Sequence, residues 1–391
     1  MKTRLLLLIF PSRVLPFKRS GVLFLVDCLD DGVLDGDPLL RIKGVTPQLA
    51  VALREAGYYS VEAVAIEPPH LLFERVGERA NFSLKKAQEI TAEARKHIKV
   101  QIFTLEELEA EEARRQVIST NCSEIDGLLG GGVRTGELTG VSGPYSVGKT
   151  ELVFTIALNT VRLLSAGAWI IDTEGTTSAK RILEMARAWG MPLDVVKKNV
   201  VHSRVIGTAD LISTVEMGHK VITEKKLKFI GVDTIVNPFR AEYPGRDLLA
   251  MRQFKLNRCL RRLLDYARLY DIAVLVTNQV HAAPVAPSPF ETRPEALNPP
   301  AGGHVFLYIV NNHLYMERLS SKAFRATLID SSYMPRGQAR YVITEKGIED
   351  AEEVRRGAKK GIEVRKGVEG DGEDKSEGEG EGEAVGEGEV A

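Results

Sequence analysis

The sequence predicts an α/β protein built on a mainly parallel sheet with helices on both faces, preceded by a small all-α unit. Two observations predict it. Short apolar runs at 138–141, 168–172, 228–233 and 272–277 alternate with longer amphipathic stretches, the pattern of buried parallel strands joined by helical crossovers. Between residues 38 and 98, apolar residues recur at helical spacing around glycine-bearing turns, without a strand-like run.

At 391 residues the chain is long enough for two or three domains. Its 44% hydrophobic and 27% charged residues are those of an ordinary globular protein. The net charge of −1 conceals an asymmetry. From Gly367 onward ten acidic residues stand against Lys375 alone, a net −9 that leaves +8 on the rest of the chain. A basic folded part suits a polyanionic partner. Cys28, Cys122 and Cys259 are scattered, with neither metal-ligand spacing nor a disulfide framework, so a reducing, cytoplasmic compartment is expected. Met1 to Phe10 places Lys2 and Arg4 ahead of a leucine-rich run. That run is short and is interrupted by Pro11 and Arg13, so residues 1–37 read as a disordered extension rather than a secretory signal. No segment approaches membrane-spanning length, and no membrane partner is expected.

In chain order, residues 38–98 read as a helix through Glu55, a turn-and-helix unit from Val61 to Val76, and a last helix from Ser83, a good N-cap, to Lys96. Ile42-Lys43-Gly44-Val45-Thr46-Pro47 forms a tight hairpin before the first helix. Helix, hairpin and helix match the helix-hairpin-helix contact, in which backbone N–H groups at helix N-termini grip a phosphate. A plain helical bundle for protein contacts fits the same residues, because Thr46 stands where a second glycine is expected. Residues 99–117 are a charged helical linker with Phe103 as its one aromatic residue. The α/β core spans 118–350, with strand candidates at 314–318, 325–330 and 340–344 forming an antiparallel extension. Residues 351–391, basic at first and then a Gly-Glu repeat, cannot bury a core and are expected to be disordered.

The chemistry concentrates at the ends of the predicted strands. Gly143-Pro144-Tyr145-Ser146-Val147-Gly148-Lys149-Thr150 fits G-x-x-x-x-G-K-[ST] and lies between a buried strand and an amphipathic helix. Its glycines let successive N–H groups face phosphate oxygens, and the helix N-terminus adds partial positive charge. Lys149 reaches the β- and γ-phosphates and the Thr150 hydroxyl ligates Mg²⁺, so the chain is expected to bind a nucleoside triphosphate. Three further strands end in polar groups. Asp233 is placed to hold the Mg²⁺ shell, Glu174 to orient an attacking water and Gln279 to sense the γ-phosphate. A strand-end acid also serves as a helix cap. Three such ends behind one phosphate loop point to a site.

These motifs make the chain recognisable over roughly residues 40–350. It resembles the archaeal RadA recombinases of the RecA/RadA family. The resemblance is carried by Leu128-Leu129-Gly130-Gly131-Gly132, the phosphate loop and Asp172-Thr173-Glu174-Gly175-Thr176. It continues through Phe239-Arg240-Ala241-Glu242-Tyr243-Pro244-Gly245-Arg246, Arg252-Gln253, Thr277-Asn278-Gln279-Val280 and Gly302-Gly303-His304. It implies a RecA-like ATPase core behind a helix-hairpin-helix DNA-binding domain, with ATP and Mg²⁺ as cofactors. The implied activity is a DNA-dependent ATPase for DNA repair and homologous recombination, which forms filaments on single-stranded DNA and pairs it with double-stranded DNA. Its implied partners are DNA, further copies of itself and recombination mediators. The resemblance places Arg181 against the adenine, Arg240, Arg246 and Arg252 in and beside the first DNA-binding loop, and Gly302 and Gly303 at the end of a second loop between Val280 and Gly303. Arginines beside Tyr243 and Gly245 also suit phosphate contact on their own chemistry; pairing with Glu242 and Asp247 is the alternative.

The chain departs from the family pattern where subunits assemble. The family's linker motif Phe-x-x-Ala, which docks on a neighbouring subunit, reads Phe103-Thr104-Leu105-Glu106 here. Thr177 replaces a preferred phenylalanine, Asp330-Ser331-Ser332 lacks a proline, and the second loop is rich in proline. Two functions therefore follow from the sequence: a working recombinase, or an accessory paralogue that binds ATP and DNA without exchanging strands.

Overall fold

The computed structural model describes residues 37–77, 82–97, 102–280 and 300–351. The expected N-terminal extension, proline-rich second loop and charged tail fall on residues 1–36, 281–299 and 352–391, outside the described residues.

The chain enters through a 3₁₀ turn at Pro38–Arg41 and a four-helix unit: α1 (Pro47–Glu55), α2 (Val61–Ile66), α3 (Pro69–Val76) and α4 (Leu84–Arg95). Thr46, out of place as a hairpin glycine, caps α1: its hydroxyl accepts from the Leu49 N–H at 3.3 Å. Ser83 caps α4 as expected. The single unit expected from Val61 to Val76 is two helices, because Pro68 drives Glu67 into an extended conformation and Pro69 starts a new helix. Leu39, Leu53, Val64, Leu72 and Ile90 close a core of their own. The linker forms α5 (Leu105–Arg114), opened by a reciprocal Thr104–Glu107 capping box and burying none of its residues.

A short ribbon of β1 (Val117–Ile118) and β2 (Val133–Arg134) brackets α6 (Ser123–Leu128). The elements that follow are β3 (Leu138–Gly143), α7 (Lys149–Leu164), β4 (Gly167–Asp172), α8 (Ala179–Ala188), α9 (Leu193–Asn199), β5 (Val200–Arg204), α10 (Thr208–Glu216), α11 (Gly218–Lys225) and β6 (Leu227–Asp233). After them come α12 (Asn237–Glu242), α13 (Leu249–Tyr270), β7 (Ala273–Gln279), α14 (Gly303–Ile309), β8 (Asn312–Arg318), β9 (Phe324–Ser331), β10 (Gly337–Thr344) and β11 (Gly347–Asp350). One nine-stranded sheet runs β11-β10-β9-β8-β3-β7-β6-β4-β5. It is parallel from β8 to β5 and antiparallel from β8 to β11, the expected mixture. The edge strands β5 and β11 escape the sequence because they are short and polar, unlike the continuous apolar runs of the central strands.

Each sheet face has its own core. α7 lays Leu152, Val153, Ile156 and Leu158 on one face. α13 and α14 cover the other with Leu256, Leu260, Leu263 and Phe306. Helix α7 approaches β6 so closely that a Cβ on Gly231 would stand 2.6 Å from a Val153 methyl. Glycine at that strand position sets the depth at which α7, and therefore the loop before it, is seated.

The helical unit docks on the core through charge. Glu67, fully buried, accepts from Arg75 of its own unit and from Arg262 of α13. Arg75 also donates to Glu216 at the end of α10, and Arg258 of α13 joins Glu216 at 2.9 Å. Breaking one partner of a buried pair leaves the other charge without compensation, at about 3–5 kcal/mol. Arg262→Met is therefore expected to lower the melting temperature and to raise hydrogen exchange in α1–α4; exchange rates as in the parent protein would show that apolar packing alone holds the unit.

Candidate functional site

The parallel register brings four strand ends to one edge of the sheet. Gly143 at the end of β3 is level with Gln279 of β7, and Asp172 of β4 is level with Asp233 of β6. There the chain turns from β3 into α7 through Gly143–Gly148. Gly148 takes φ +94° at the N-cap of α7, a conformation that L side chains rarely adopt, and so aims the first N–H groups of the helix into the turn. The loop is braced from the antiparallel side of the sheet. The Tyr341 hydroxyl of β10 donates to the Val147 carbonyl at 2.6 Å, and Arg318 of β8 donates to the Ser146 carbonyl at 2.8 Å.

Above these strand ends lies a cleft of about 400 Å³ lined by Tyr145, Ser146, Gly148, Lys149, Thr150 and Glu151 from the loop side. Glu174, Thr176, Asp233, Thr234, Gln279 and Ile343 line it from the strand ends. Every residue expected to touch phosphate, metal or water through its side chain thus faces one space. Lys149 is buried and donates to the carbonyls of Gly143 (2.8 Å) and Pro144 (2.6 Å). Burial pushes its ammonium below the usual lysine range, while Asp233 and Glu174 pull it back up. The Asp233 carboxylate accepts from the hydroxyls of Thr150 and Thr277. Burial pushes its carboxyl up, against those two donors and the Lys149 charge. A buried carboxylate beside a threonine hydroxyl at the mouth of a phosphate loop is a donor set that suits a hard divalent cation such as Mg²⁺.

Asp172 and Glu174, two residues apart, have opposite duties. Asp172 is buried and accepts from the backbone N–H groups of Glu174 (3.0 Å), Gly175 (2.7 Å) and Thr177 (3.0 Å). Burial raises its carboxyl, but these donors outweigh it and hold the group below the usual carboxylate range. It is a turn cap, and it presents Glu174 to the cleft. Glu174 accepts on Oε1 from the Thr234 hydroxyl (3.1 Å) and from Gln279 Nε2. Arg181 stands outside this lining. Its guanidinium is taken by Glu151 (2.9 Å) and by the carbonyls of Thr344 (2.7 Å) and Glu345 (2.9 Å), which ties α8 to α7 and to the turn after β10.

A second cleft, of about 520 Å³, opens beside the α13 N-terminus and is lined by Arg240, Leu249, Arg252, Gln253, Ala301, Gly302, Gly303 and Val305. Arg252 donates to the Tyr243 carbonyl, and its Nε is buried without a partner, as is Gln253 Oε1. Arg246 is exposed on the turn between α12 and α13, outside the lining. Glu242 accepts from the Thr208 N–H, and among the described residues no ion pair joins Arg240, Arg246 or Arg252 to a carboxylate. The pairing alternative for these arginines therefore fails on the described residues, and their charge faces solvent and the cleft. Phe103 precedes α5 and is 39% exposed.

Comparison with known proteins agrees with this geometry. A model of the Rad51 family matches residues 113–351, and one of a SAM-like helix-hairpin-helix tandem matches residues 36–96. The chain belongs to the Rad51 family. It is 36% identical to the DNA repair and recombination protein RadA of Metallosphaera sedula over 319 residues, 80% of this chain and 95% of that protein. The protein of the same name from Aeropyrum pernix is 34% identical over 317 residues, 80% of this chain and 96% of that one.

Within this Rad51-family core, several lining residues carry no signal in the sequence. Thr234 follows the strand-end Asp233 with nothing in the sequence to single it out, yet its hydroxyl holds Glu174. Ile343 comes from the antiparallel extension, more than 60 residues beyond Gln279, and only the sheet order brings it to the cleft. The raised Asp233 carboxyl means that the fold binds this proton more tightly than the unfolded chain does. Stability contributed by that proton is lost as pH rises through the raised value, so the fold disfavours the charged form relative to the unfolded chain. Asp233→Asn is expected to raise the melting temperature without nucleotide, by about 2–4 °C for each ~1 kcal/mol relieved. The same variant is expected to lose Mg²⁺-dependent nucleotide binding. A lower melting temperature would mean that the charged form is favoured in the fold.

Proposed function

We propose that this chain is a DNA-dependent ATPase of homologous recombination and repair, which assembles on single-stranded DNA with ATP and Mg²⁺ and carries out homologous pairing and strand exchange. The observation that carries this reading is the convergence of Lys149, Thr150, Asp233, Glu174 and Gln279 on one cleft, in a Rad51-family core with a helix-hairpin-helix unit before it. We take 38–98 as the DNA-binding unit, 99–117 as the linker and 118–350 as the ATPase core. No helix among the described residues is long and apolar enough to cross a membrane.

The geometry supports the following roles. Backbone N–H groups of Gly143–Thr150 cradle the phosphates, and the buried Lys149 supplies a positive charge undiluted by water. Thr150 and Asp233 would hold Mg²⁺, which when bound would supply charge that neutralises the phosphates. Glu174, steadied by Thr234, accepts a hydrogen bond from the attacking water and orients it. Gln279 keeps an N–H for the terminal phosphate; the family resemblance alone puts Arg181 beside the base, since its guanidinium is held by Glu151 outside the cleft lining. Loss of one such positioned group raises a barrier by about 3 kcal/mol. Arg240 and Arg252, with the side-chain-free approach at Gly302 and Gly303, line the cleft suited to the DNA backbone, and Arg246 extends that charge outward. Phe103 is the residue suited to anchor the linker on a second copy.

A second reading, an accessory paralogue that binds ATP and DNA without exchanging strands, is favoured by the linker. Glu106 lies in the exposed first turn of α5, three residues after Phe103, where an apolar residue would be needed to bury a docking motif. Negative-stain electron microscopy of the protein with single-stranded DNA and ATP–Mg²⁺ separates the two. Regular helical filaments that vanish with Lys149→Ala support the recombinase; protein that binds ATP yet remains in small oligomers supports the paralogue. Arg246→Ala is expected to weaken single-stranded DNA binding and to make log K fall less steeply with log salt, by about 0.7 in slope for one lost phosphate contact. An unchanged slope removes Arg246 from the DNA surface.

A further inference from the structure

The phosphate loop carries an aromatic residue whose placement packing does not explain. Tyr145 is 72% exposed, so no core holds its ring, yet its hydroxyl donates to Gln279 Oε1 at 2.9 Å. Gln279 in turn donates from Nε2 to Glu174 Oε1, which also accepts from Thr234. The chain Tyr145–Gln279–Glu174–Thr234 therefore spans the cleft from the tip of the phosphate loop to the ends of β7, β4 and β6, and all four residues line it.

The chemistry of each group fixes the direction of this chain. A carboxylate only accepts, so Glu174 requires the nitrogen end of the Gln279 amide and leaves the oxygen end for a donor. Tyr145 is that donor. With both ends bound, the amide keeps its nitrogen over the cleft, and the second N–H on that nitrogen remains available to an oxygen there. A phosphate oxygen needs donors, and an amide that swung or turned its oxygen inward would repel it. A glutamine side chain loses rotamer freedom when it is immobilised, and a partner that holds it beforehand removes part of that loss from the binding step. The loop N–H groups and Lys149 reach phosphate without Gln279, which enters the cleft from the end of β7 with Glu174 as its neighbour. As the γ-phosphate sensor of the reading given above, it contributes at the terminal phosphate.

We propose that Tyr145 is a positioning residue: its hydroxyl holds the Gln279 carboxamide so that the amide nitrogen faces the terminal phosphate, which makes the site prefer a nucleoside triphosphate to the diphosphate. This rests on the ATP-binding reading given above and assigns to the tyrosine side chain a role separate from the backbone role of the loop.

The test is a double-mutant cycle on the full chain with wild type, Tyr145→Phe, Gln279→Ala and the double variant. Isothermal titration with ADP–Mg²⁺ and with a non-hydrolysable ATP analogue and Mg²⁺ reads both affinities. Tyr145→Phe keeps the ring and removes one hydrogen bond, so the analogue is expected to bind about five- to tenfold more weakly, with ADP affinity unchanged within about twofold. In the Gln279→Ala background the same substitution is expected to change neither affinity. Equal weakening of ADP and analogue would mean that Tyr145 acts through the loop itself and would overturn the proposal. A Tyr145→Phe effect that persists without Gln279 would show the hydroxyl acting on the ligand directly, and an unchanged analogue affinity would show no coupling; either overturns it. Failure of the wild-type protein to bind both nucleotides is a distinct result, which overturns the ATP-binding reading and this inference with it.

Discussion

The structure depends on the parallel register of β3, β7, β6 and β4. Because these strands run the same way, their last residues arrive together at one edge of the sheet: Gly143 pairs with Gln279 and Asp172 with Asp233, the second pair lying two residues short of the first. Gly143, Gln279, Asp233 and Asp172 owe their proximity to that register and to nothing in their own chemistry. A slip of one residue in any strand would send its final side chain to the opposite face. The seating of α7 belongs to the same constraint. The helix must lie close enough to β6 for its N-terminus to open over the strand ends, and Gly231 leaves room for that approach.

Charges at this edge are placed at the expense of the fold. Lys149 and Asp233 are both buried, and burial shifts each toward its neutral form. Such groups persist where a ligand of opposite charge restores the balance, which is the physical sense of a phosphate-and-cation cleft. Asp172 is the contrast. It too is shielded from solvent, but three backbone N–H groups hold its charged form, so it stays charged and serves structure. Backbone donors outweigh burial at the cap, whereas burial prevails over the two hydroxyl donors at Asp233.

Helix α13 joins two regions of the molecule. Its first turns contribute Leu249, Arg252 and Gln253 to the second cleft, and its middle supplies Arg258 and Arg262 to the charge cluster that holds the helical unit. The antiparallel extension has a comparable double duty. Tyr341 and Arg318 fix the back of the phosphate loop, and Ile343 enters the first cleft. The sequence singled out Arg252 and Gln253, but neither the Arg258–Arg262 cluster nor the bracing by Tyr341 and Arg318 is advertised locally.

The sequence by itself determined the central strands, the phosphate loop and the polar residues at the strand ends. Continuous apolar runs and a glycine loop before a helix are local signals, and each is bounded by the residue that matters. It also located Thr46 and Ser83 near helix starts, although it read the first as a hairpin irregularity rather than a cap. The sequence also chose Glu174 as the acid that faces the site; the tertiary structure added that Asp172 beside it is the cap, because the two differ in the donors that surround them, not in type. Only the structure brought Thr234, Ile343 and the Tyr145 hydroxyl to the cleft, tied Arg181 to Glu151, and joined Glu67 to Arg262 across 195 residues. Those contacts arise from sheet order and helix seating, which periodicity and spacing along a chain do not encode.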